Sequence, residues 1–382
     1  MASQPIVIIG SGLAGYTVAR EFRKLDTATP LLILSADHGG FYSKPMLSNA
    51  HLQKKNVDGL LIKSRAQMAD ELKAEIRPHA RVTRIDPLRK EIIVNEVALP
   101  YHKLVLALGA DPIRLALSGD GAPDVLSVND LDDYRVFRGA LAGKTRVAIL
   151  GAGLIGCEFA NDLTGAGYKV DVIDLAPQVL GRLLPPASAA FMQRKLEEAG
   201  VRFHLQSSTV SVERTGGHHT VSLSSGTTIE TDVILSAVGL RPRVALALAA
   251  GITINRGVTV DTLLQTSAED VYALGDCAEV AGKVLPYILP IMHAARALAS
   301  TLSGKPVRVR YPHMPVAVKT PACPAVILAP DGIAPGNWLI EENHDGVKSL
   351  FYKMGQELHG FALLGSSISD KNYLIQSLPL LD

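Results

Sequence analysis

Apolar positions in this chain form short β-branched runs, and segments with helical spacing follow them. The run Ile6 to Ile9 precedes residues 13–25, where apolar residues recur at helical intervals, and a second apolar run covers residues 31–35. A strand, a helix and a strand within about 30 residues predict a βαβ unit. The same order returns later as a strand, a helix and a strand at 147–150, 154–166 and 169–174. The pattern therefore predicts two α/β units of similar construction.

The rest of the pattern adds strands to both units and predicts a further domain. The apolar runs 104–108 and 233–238 are predicted to be buried strands that end at glycine turns. Further predictions are a strand pair within 81–100, strands at 201–205, 209–214, 219–224, 258–260 and 271–274, and a helix at 290–303. Residues 38–80 are expected to be irregular and then helical, and 314–382 to form a small β-rich domain with a final helical turn. The stretch 118–124, rich in Gly, Asp and Pro, marks a domain boundary.

A glycine motif of dinucleotide-binding type joins strand to helix in both βαβ units. The first copy is Gly10-Ser11-Gly12-Leu13-Ala14-Gly15, and the second is Gly151-Ala152-Gly153-Leu154-Ile155-Gly156. The first glycine permits a tight turn, the second lets the backbone approach a pyrophosphate, and the third allows close packing of helix and strand. The helix N-terminus offers free N–H groups to the phosphates. Two copies predict two dinucleotides, a flavin and a nicotinamide one.

An aspartate follows the second strand of each unit. Asp37 lies 22 positions after Gly15, and Asp174 lies 18 positions after Gly156. This is about where an acid would hydrogen-bond a ribose 2′-hydroxyl. Residues 175–178 include no arginine that could accept a 2′-phosphate, so Asp174 predicts NADH rather than NADPH.

Composition excludes several classes of protein. The 382 residues carry a net charge of +1, which argues against a nucleic-acid-binding surface. No apolar run reaches the roughly 18 residues of a membrane helix, so we expect no membrane partner and a cytoplasmic location. Cys157, Cys277 and Cys323 are widely spaced and are expected to be buried thiols. No histidine, cysteine or acid has the spacing of a metal site.

Three more motifs extend the pattern, and with the glycine turns they resemble a known family. They are Tyr101–Ala110 (YHKLVLALGA), Ala237–Pro242 (AVGLRP) and Val271–Glu279 (VYALGDCAE). Over residues 5 to about 300 the chain resembles the FAD-dependent pyridine-nucleotide oxidoreductases that bind two dinucleotides. Tyr42–Ser48 (YSKPMLS) and Val318–Pro321 (VKTP) are similar to the rubredoxin and flavorubredoxin reductase branch.

The resemblance implies a fold and a domain plan. The fold is α/β, with two Rossmann-like domains of the three-layer ββα type, the NADH domain inserted in the FAD domain, and a small α+β C-terminal domain. It implies that residues 1–111 and 245–313 bind FAD, that 112–244 bind NADH, and that 314–382 form the C-terminal domain.

Together, motif and resemblance predict the cofactor-binding residues. They are Gly10, Gly12, Leu13, Ala14, Gly15, Asp37, Lys44, Pro45, Val82, Ala107, Gly109, Asp276, Lys319, Gly151, Gly153, Leu154, Ile155, Gly156, Glu158, Asp174 and Gly239. In the family, the aspartate at the position of Asp276 hydrogen-bonds the flavin ribityl chain. The alternative is that Asp276 only caps the following helix.

The residues around Lys44 bear on the electron route. Disulfide reductases of this superfamily carry a cysteine pair near the flavin, and other branches carry one cysteine after a serine. Here Ser43 is followed by Lys44, so no thiol is expected to relay electrons. Electrons would then pass directly from the flavin to an external acceptor, and a one-electron iron protein fits this role.

Three residues are predicted to be catalytic. The resemblance places Lys44 and Lys319 near the isoalloxazine, where a cation would stabilise negative charge on the ring; the alternative for each is an exposed lysine. In related reductases the glutamate at the position of Glu158 faces the nicotinamide carboxamide and pairs with a lysine. The expected partner here is Lys44. The alternative is that Glu158 only complements the dipole of its helix.

These observations predict an NADH-dependent flavoprotein that passes electrons to rubredoxin or a similar small iron protein. Alternatives are a ferredoxin reductase of an oxygenase system, an NADH diaphorase, or a non-catalytic redox sensor that binds FAD and NADH. The C-terminal segment of about 69 residues is short for a dimer interface above about 2,000 Å², which favours a monomer.

Overall fold

The computed structural model describes residues 4–330, 335–353 and 357–379. The α-helices in this part of the chain are α1 (Leu13–Arg23), α2 (Arg65–Leu72), α3 (Leu131–Ala140), α4 (Leu154–Gly165), α5 (Pro186–Glu198), α6 (Ala245–Ala249), α7 (Ile288–Leu302) and α8 (Lys371–Gln376). The strands are β1 (Ile6–Ile9), β2 (Leu31–Leu34), β3 (Phe41–Tyr42), β4 (Leu61–Lys63), β5 (Glu75–Arg77), β6 (Val82–Asp86), β7 (Glu91–Val94), β8 (Val97–Pro100), β9 (Lys103–Leu106), β10 (Ala110–Pro112), β11 (Leu126–Ser127), β12 (Arg146–Leu150), β13 (Lys169–Ile173), β14 (Val201–His204), β15 (Thr209–Thr215), β16 (His218–Leu223), β17 (Thr228–Thr231), β18 (Val233–Ser236), β19 (Leu240–Pro242), β20 (Val258–Val260), β21 (Val271–Ala273), β22 (Ala278–Val280), β23 (Val316–Val318), β24 (Ala325–Leu328), β25 (Gly336–Glu342), β26 (Gly346–Lys353) and β27 (Leu358–Gly365).

The chain divides into two compact units. The first comprises Met1–Ser43, Leu61–Asp111 and Leu240–Pro312, and the second comprises Lys44–Leu60, Pro112–Gly239 and His313–Asp382. No helix in the described residues combines the length and the apolar character needed to span a bilayer.

The first unit is built on a parallel sheet with the strand order β21-β9-β1-β2-β5. Every residue of β1 and β2 is buried, as expected for strands covered on both faces. Helices α1 and α7 pack against each other in this unit. A three-stranded antiparallel sheet, β6-β7-β8, occupies residues 82–100, so the prediction of a strand pair there was one strand short.

The second unit contains a matching parallel sheet, β11-β18-β12-β13-β14. An antiparallel sheet, β15-β16-β17, lies beside it in sequence and confirms the strands predicted at 209–214 and 219–224. Helices α3 and α5 were not predicted, although α3 buries Leu131, Tyr134 and Phe137 at helical spacing. The two parallel sheets confirm the predicted α/β fold with two Rossmann-like domains.

The C-terminal part of the second unit is an antiparallel sheet, β23-β24-β27-β26-β25, followed by helix α8. Leu350, Phe361, Leu363 and Leu374 belong to its core. The hydroxyl groups of Ser188 on α5 and Ser349 on β26 are 2.8 Å apart and fully buried. This contact attaches the C-terminal sheet to α5, and the small β-rich domain with a terminal helical turn is confirmed.

Candidate functional site

The first glycine turn, in the first unit, has no space for side chains at two positions. Gly10 adopts φ +115°, and a Cβ there would lie 2.1 Å from the Ala107 carbonyl oxygen. A Cβ at Gly15 would lie 1.9 Å from the Gly10 carbonyl oxygen. At Gly12, by contrast, a Cβ would meet no protein atom within 4 Å. The turn is therefore tight where helix and strand meet and open where a phosphate would approach.

Asp37 lies beside this turn. Its Oδ1 accepts hydrogen bonds from Ser35 Oγ at 2.5 Å and from the Gly39 amide at 2.8 Å. Ser11 Oγ, inside the glycine motif, lies 3.4 Å from the same oxygen. The second strand thus brings the carboxylate to the turn, as the spacing predicted.

Asp276 also lies near the first glycine turn. It belongs to a 3₁₀ turn, Gly275–Cys277, that directly follows β21. Gly275 has φ +79°, and a Cβ there would lie 2.8 Å from the Ala14 side chain of α1. This close approach places the aspartate next to the helix that begins at Gly12.

The second glycine turn, in the second unit, repeats the geometry of the first. Gly151 has φ +109°, and a Cβ there would lie 2.7 Å from the Ala237 carbonyl oxygen. A Cβ at Gly156 would lie 1.8 Å from the Gly151 carbonyl oxygen, and one at Gly153 would meet nothing within 4 Å. Helices α1 and α4 both begin after a glycine with ψ near 180° and no side-chain cap. Both helix N-termini therefore present free amide groups.

Asp174 is the counterpart of Asp37. Its Oδ2 accepts a 2.5 Å hydrogen bond from the Ala152 amide, inside the glycine motif, and its Oδ1 accepts one from the Ala176 amide at 2.7 Å. The carboxylate is thus fixed at the edge of the second turn. Leu154 and Ile155 follow in the first turn of α4, where Ile155 is 41% exposed.

Glu158, in the first turns of α4, is completely buried. Its Oε1 accepts a hydrogen bond from the Lys319 amide at 2.9 Å, and its Oε2 lies 3.0 Å from Lys319 Nζ. Ser48 Oγ donates to Oε2 at 2.5 Å. Both oxygens are therefore engaged, which a buried carboxylate requires.

The expectation that Lys44 would pair with Glu158 was wrong. Lys319 provides the ion pair, and Lys44 Nζ donates to Asn129 Oδ1 at 2.5 Å. Lys319 directly follows β23, which runs beside β24 in the C-terminal sheet, and its backbone amide already faces Glu158. The side chain consequently needs only to fold back to reach the same carboxylate.

Asn49 and Pro45 complete the surroundings of Lys319. Asn49, oriented to satisfy both ends of its amide, donates to the Lys319 carbonyl at 2.9 Å and accepts from Lys319 Nζ at 3.1 Å. Lys319 Nζ also donates to the Pro45 carbonyl. We call Ser48, Asn49, Glu158 and Lys319 the Glu158 cluster.

Sequence reasoning missed two polar residues on the same face of α4. Asn161 Oδ1 accepts from the Ala322 amide at 3.0 Å. Asp162, only 2% exposed, accepts from the His51 and Leu52 amides at 3.1 and 2.8 Å. Their one sequence signal is a polar pair in a largely apolar helix. Glu158, Asn161 and Asp162 thus hold two segments remote in sequence against α4.

The other predicted residues occupy different places. Gly109 and Gly239 have φ values of +73° and +121° and form turns after β9 and β18. Ala107 borders Gly10 as described, whereas Val82 is a buried residue at the start of β6. Among the described residues, no group of three or more His, Cys, Asp or Glu side chains could hold a metal ion.

Burial of Asp162 leads to a prediction about stability. Desolvation raises the pKa of Asp162 to about 6, against the smaller opposing effects of the two amide hydrogen bonds and the charges of Arg138 and Lys319. Between about pH 4 and 6 the folded protein therefore keeps a proton on Asp162 that the unfolded chain has released. The free energy of unfolding falls as pH rises through that window. Relative to the unmodified protein, Asp162→Asn should gain up to roughly 3 kcal/mol of unfolding free energy between pH 4 and 7.

Urea unfolding of both proteins at several pH values measures this difference. The test is how the difference in unfolding free energy between the two proteins changes with pH. A lost amide hydrogen bond alone would change the unfolding free energy of the variant by the same amount at every pH. A difference that is independent of pH would contradict the assignment of this ionisation to Asp162.

The two turns fit dinucleotides on structural grounds. Each has a glycine whose missing side chain leaves open space, an uncapped helix N-terminus and a carboxylate fixed at its edge. Pyrophosphate would lie against the amides, and ribose hydroxyls against Asp37 and Asp174.

Comparison with protein families gives two matches. Residues 4–318 match the family described as pyridine nucleotide-disulphide oxidoreductase. Residues 308–378 match a rubredoxin binding C-terminal domain. The second match begins in the segment that precedes β23 and includes Lys319.

Relatives resemble the chain over nearly its whole length. A rubredoxin-NAD(+) reductase of Alcanivorax borkumensis is 46% identical over 376 residues, covering 98% of both chains. One from Acinetobacter baylyi is 47% identical, covering 98% of this chain and 97% of the relative. A nitric oxide reductase FlRd-NAD(+) reductase of Vibrio vulnificus is 35% identical, covering 99% and 97%.

A solved structure agrees with the fold. The ferredoxin reductase from Rhodopseudomonas palustris superposes with a TM-score of 0.90 at 26% identity, covering 98% of this chain and 95% of that one. Family match, relatives and structure coincide with the paired glycine turns. The chain therefore belongs to the pyridine nucleotide-disulphide oxidoreductase family.

Proposed function

We propose that this protein is an FAD-dependent NADH:rubredoxin reductase. The observation that carries the proposal is a rubredoxin-binding C-terminal domain joined to a chain with two dinucleotide turns. The relatives that are 46% and 47% identical bear the corresponding name.

The two turns divide the cofactors between them. FAD binds the first turn, with Asp37 at its ribose and Asp276 nearby, and NADH binds the second, with Asp174 at its ribose. When bound, FAD takes a hydride from NADH and can release the two electrons singly. We retain 1–111 with 245–313 as the FAD domain, 112–244 as the NADH domain and 314–382 as the partner domain.

The cysteines support direct transfer to the acceptor. All three are free and buried. Burial raises the pKa of both Cys277 and Cys323 to about 11, and raises that of Cys157 further. A buried thiol with a raised pKa is a poor nucleophile. The electron route in the proposal therefore uses no thiol, and free thiols agree with a cytoplasmic protein. A monomer is part of the same proposal.

Glu158 and Lys319 are the proposed catalytic pair. Glu158 is fully buried, whereas the Lys319 side chain is 38% exposed. The pair can therefore face a ligand while Glu158 stays shielded from solvent. Glu158 orients the nicotinamide carboxamide, and Lys319, with Lys44, supplies positive charge beside the flavin.

A comparison of acceptors tests the proposal. NADH-reduced protein should transfer electrons to rubredoxin at a rate of order 10 s⁻¹ or above, faster than to ferredoxin, quinone or oxygen. Faster transfer to ferredoxin would favour an oxygenase partner. A rubredoxin rate no better than that of oxygen would favour a diaphorase, and a flavin that NADH does not reduce would favour a sensor.

Salt should slow the rubredoxin step selectively. Rubredoxins are acidic, and the candidate basic residues for docking are Lys44, Arg308, Arg310 and Lys319, of which Lys319 is already neutralised by Glu158. Attraction between exposed charges is screened over about 10 Å at 0.1 M salt. We expect the rubredoxin rate to fall between 0.05 and about 0.5 M salt while flavin reduction by NADH changes little. Equal salt dependence of both steps, measured by stopped flow, would contradict this account.

A further inference from the structure

Several hydrogen bonds fasten the segment Lys44–Leu52 to the rest of the second unit, and the contacts with α4 and Lys319 bear on the cluster. The Pro45 carbonyl accepts from Lys319 Nζ, Ser48 donates to Glu158, and the His51 and Leu52 amides donate to Asp162. The first two contacts belong to residues already assigned to the reaction. The third does not, and it lies one helical turn beyond Glu158 on the same face of α4.

Burying the carboxylate of Asp162 costs free energy that a purely structural position would not require. Its carboxylate is 2% exposed, and among the described residues no lysine, arginine or histidine nitrogen comes within ion-pair distance of it. Burial of a carboxylate is unfavourable unless strong hydrogen bonds offset it. The negative charge strengthens the hydrogen bonds that Asp162 accepts from two successive backbone amides. Such charge-assisted bonds are about twice as strong as bonds between neutral groups.

The two amides lie just after the 3₁₀ turn that carries Ser48. That turn spans Lys44–Asn49, and only Ala50 separates it from His51 and Leu52. With the amides fixed on Asp162, the Ser48 hydroxyl stays 2.5 Å from Glu158, and Asn49 stays against Lys319. If the amides were released, the turn could move along α4 and the cluster would lose its alignment.

We propose that Asp162 is a positioning residue that holds the Lys44–Leu52 segment on α4 and thereby sets Ser48 and Asn49 in the Glu158 cluster. This inference rests on the proposed role of Glu158 in hydride transfer. Asp162 touches neither the cofactor nor the nucleotide in this account, and it acts only through the segment.

The main test is a double-mutant cycle between Asp162→Asn and Ser48→Ala, read by stopped-flow reduction of the flavin at saturating NADH. Asparagine keeps the shape but turns an N–H group toward one of the two amide donors. We expect D162N to be roughly tenfold slower, because small misplacement of catalytic groups costs 10- to 100-fold. In the S48A background the same change should cost less than about twofold, since residues acting through one contact are not additive. Equal losses in both backgrounds, or an unchanged D162N rate, would overturn the proposal.

Asp171→Asn is the matched control. Asp171 is a buried carboxylate of the same unit, on β13, paired with Arg202 and His204 and remote from the segment. It should lower thermal stability at most and leave the reduction rate unchanged. A D171N rate as slow as that of D162N would mean that loss of any buried carboxylate of this unit, and not positioning, explains the slower reaction.

Hydrogen exchange separates this inference from the proposed function. The His51 and Leu52 amides should exchange at least tenfold faster in D162N and at the original rate in D171N, whatever the catalytic activity. Unaltered exchange in D162N would overturn the positioning role. If instead NADH failed to reduce the unmodified protein while the exchange result held, the proposed function would be wrong. The conclusion that Asp162 holds the Lys44–Leu52 segment on α4 would still be supported.

Discussion

Replacing Glu158 by alanine should slow reduction of the flavin by NADH about a hundredfold while FAD stays bound. The carboxylate receives the Lys319 amide, the Lys319 ammonium and the Ser48 hydroxyl, so its loss removes one contact of α4 with each of two segments. It also leaves the Lys319 ammonium without its counter-ion, although this side chain is 38% exposed and keeps its hydrogen bond to the Pro45 carbonyl. FAD should remain bound because the glycine turn assigned to it belongs to the other unit.

The measurement is stopped-flow bleaching of the flavin over a range of NADH concentrations. Lys319→Met should also slow the reaction, but less, because its backbone amide still reaches Glu158 Oε1. Asp232→Asn is the control, since Asp232 pairs with Arg146 at the far end of β12 from Gly151. Unchanged bleaching in both the E158A and K319M variants would return this pair to a structural role.

Asp174→Ala should weaken NADH binding by roughly 1–3 kcal/mol, or about 5- to 150-fold in Kd. The carboxylate is fixed by the Ala152 and Ala176 amides at the edge of the second turn, where the ribose 2′-hydroxyl would donate to it. A 2′-phosphate would meet the same negative charge, so the unmodified protein should use NADH with much higher kcat/KM than NADPH. Loss of the Asp174 charge should lower the ratio of kcat/KM for NADH to kcat/KM for NADPH.

Steady-state kinetics with both nucleotides, together with equilibrium binding of NAD⁺, measure this effect. Asp37→Ala is the matched control because Asp37 has the same place in the first turn. The Asp37→Ala variant should bind FAD more weakly and keep the same ratio of kcat/KM values for NADH and NADPH. Equal kcat/KM for the two nucleotides in the unmodified protein would refute the assignment of Asp174.

The nucleotide turns were predictable because their determinants are local. Gly10 and Gly15 contact each other, and Asp37 reaches the turn through the strand that follows the helix, so spacing in sequence fixes geometry in space. The same holds for Gly151, Gly156 and Asp174.

The Glu158 cluster was only partly predictable. Glu158 and Lys319 were both predicted to be catalytic, but their pairing joins positions 161 residues apart and depends on how β23 meets α4. The resemblance around Tyr42–Ser48 favoured Lys44 as the partner, yet the Lys44 ammonium bonds Asn129. Asp162 gave only a weak signal, the polar pair with Asn161, because a polar residue in a largely apolar helix indicates its role only once the segment that covers it is known.

The long separation between Glu158 and Lys319 has a consequence for synthesis of the protein. Translation at about 5–20 residues per second leaves roughly 10–30 s between the appearance of the carboxylate and that of its counter-ion. During this interval the nascent nucleotide domain carries an acid that cannot yet be buried favourably. A chain released or cleaved before residue 319 would keep its glycine turns but lack the partner for that acid. The Glu158 cluster can therefore close only after translation has passed residue 319.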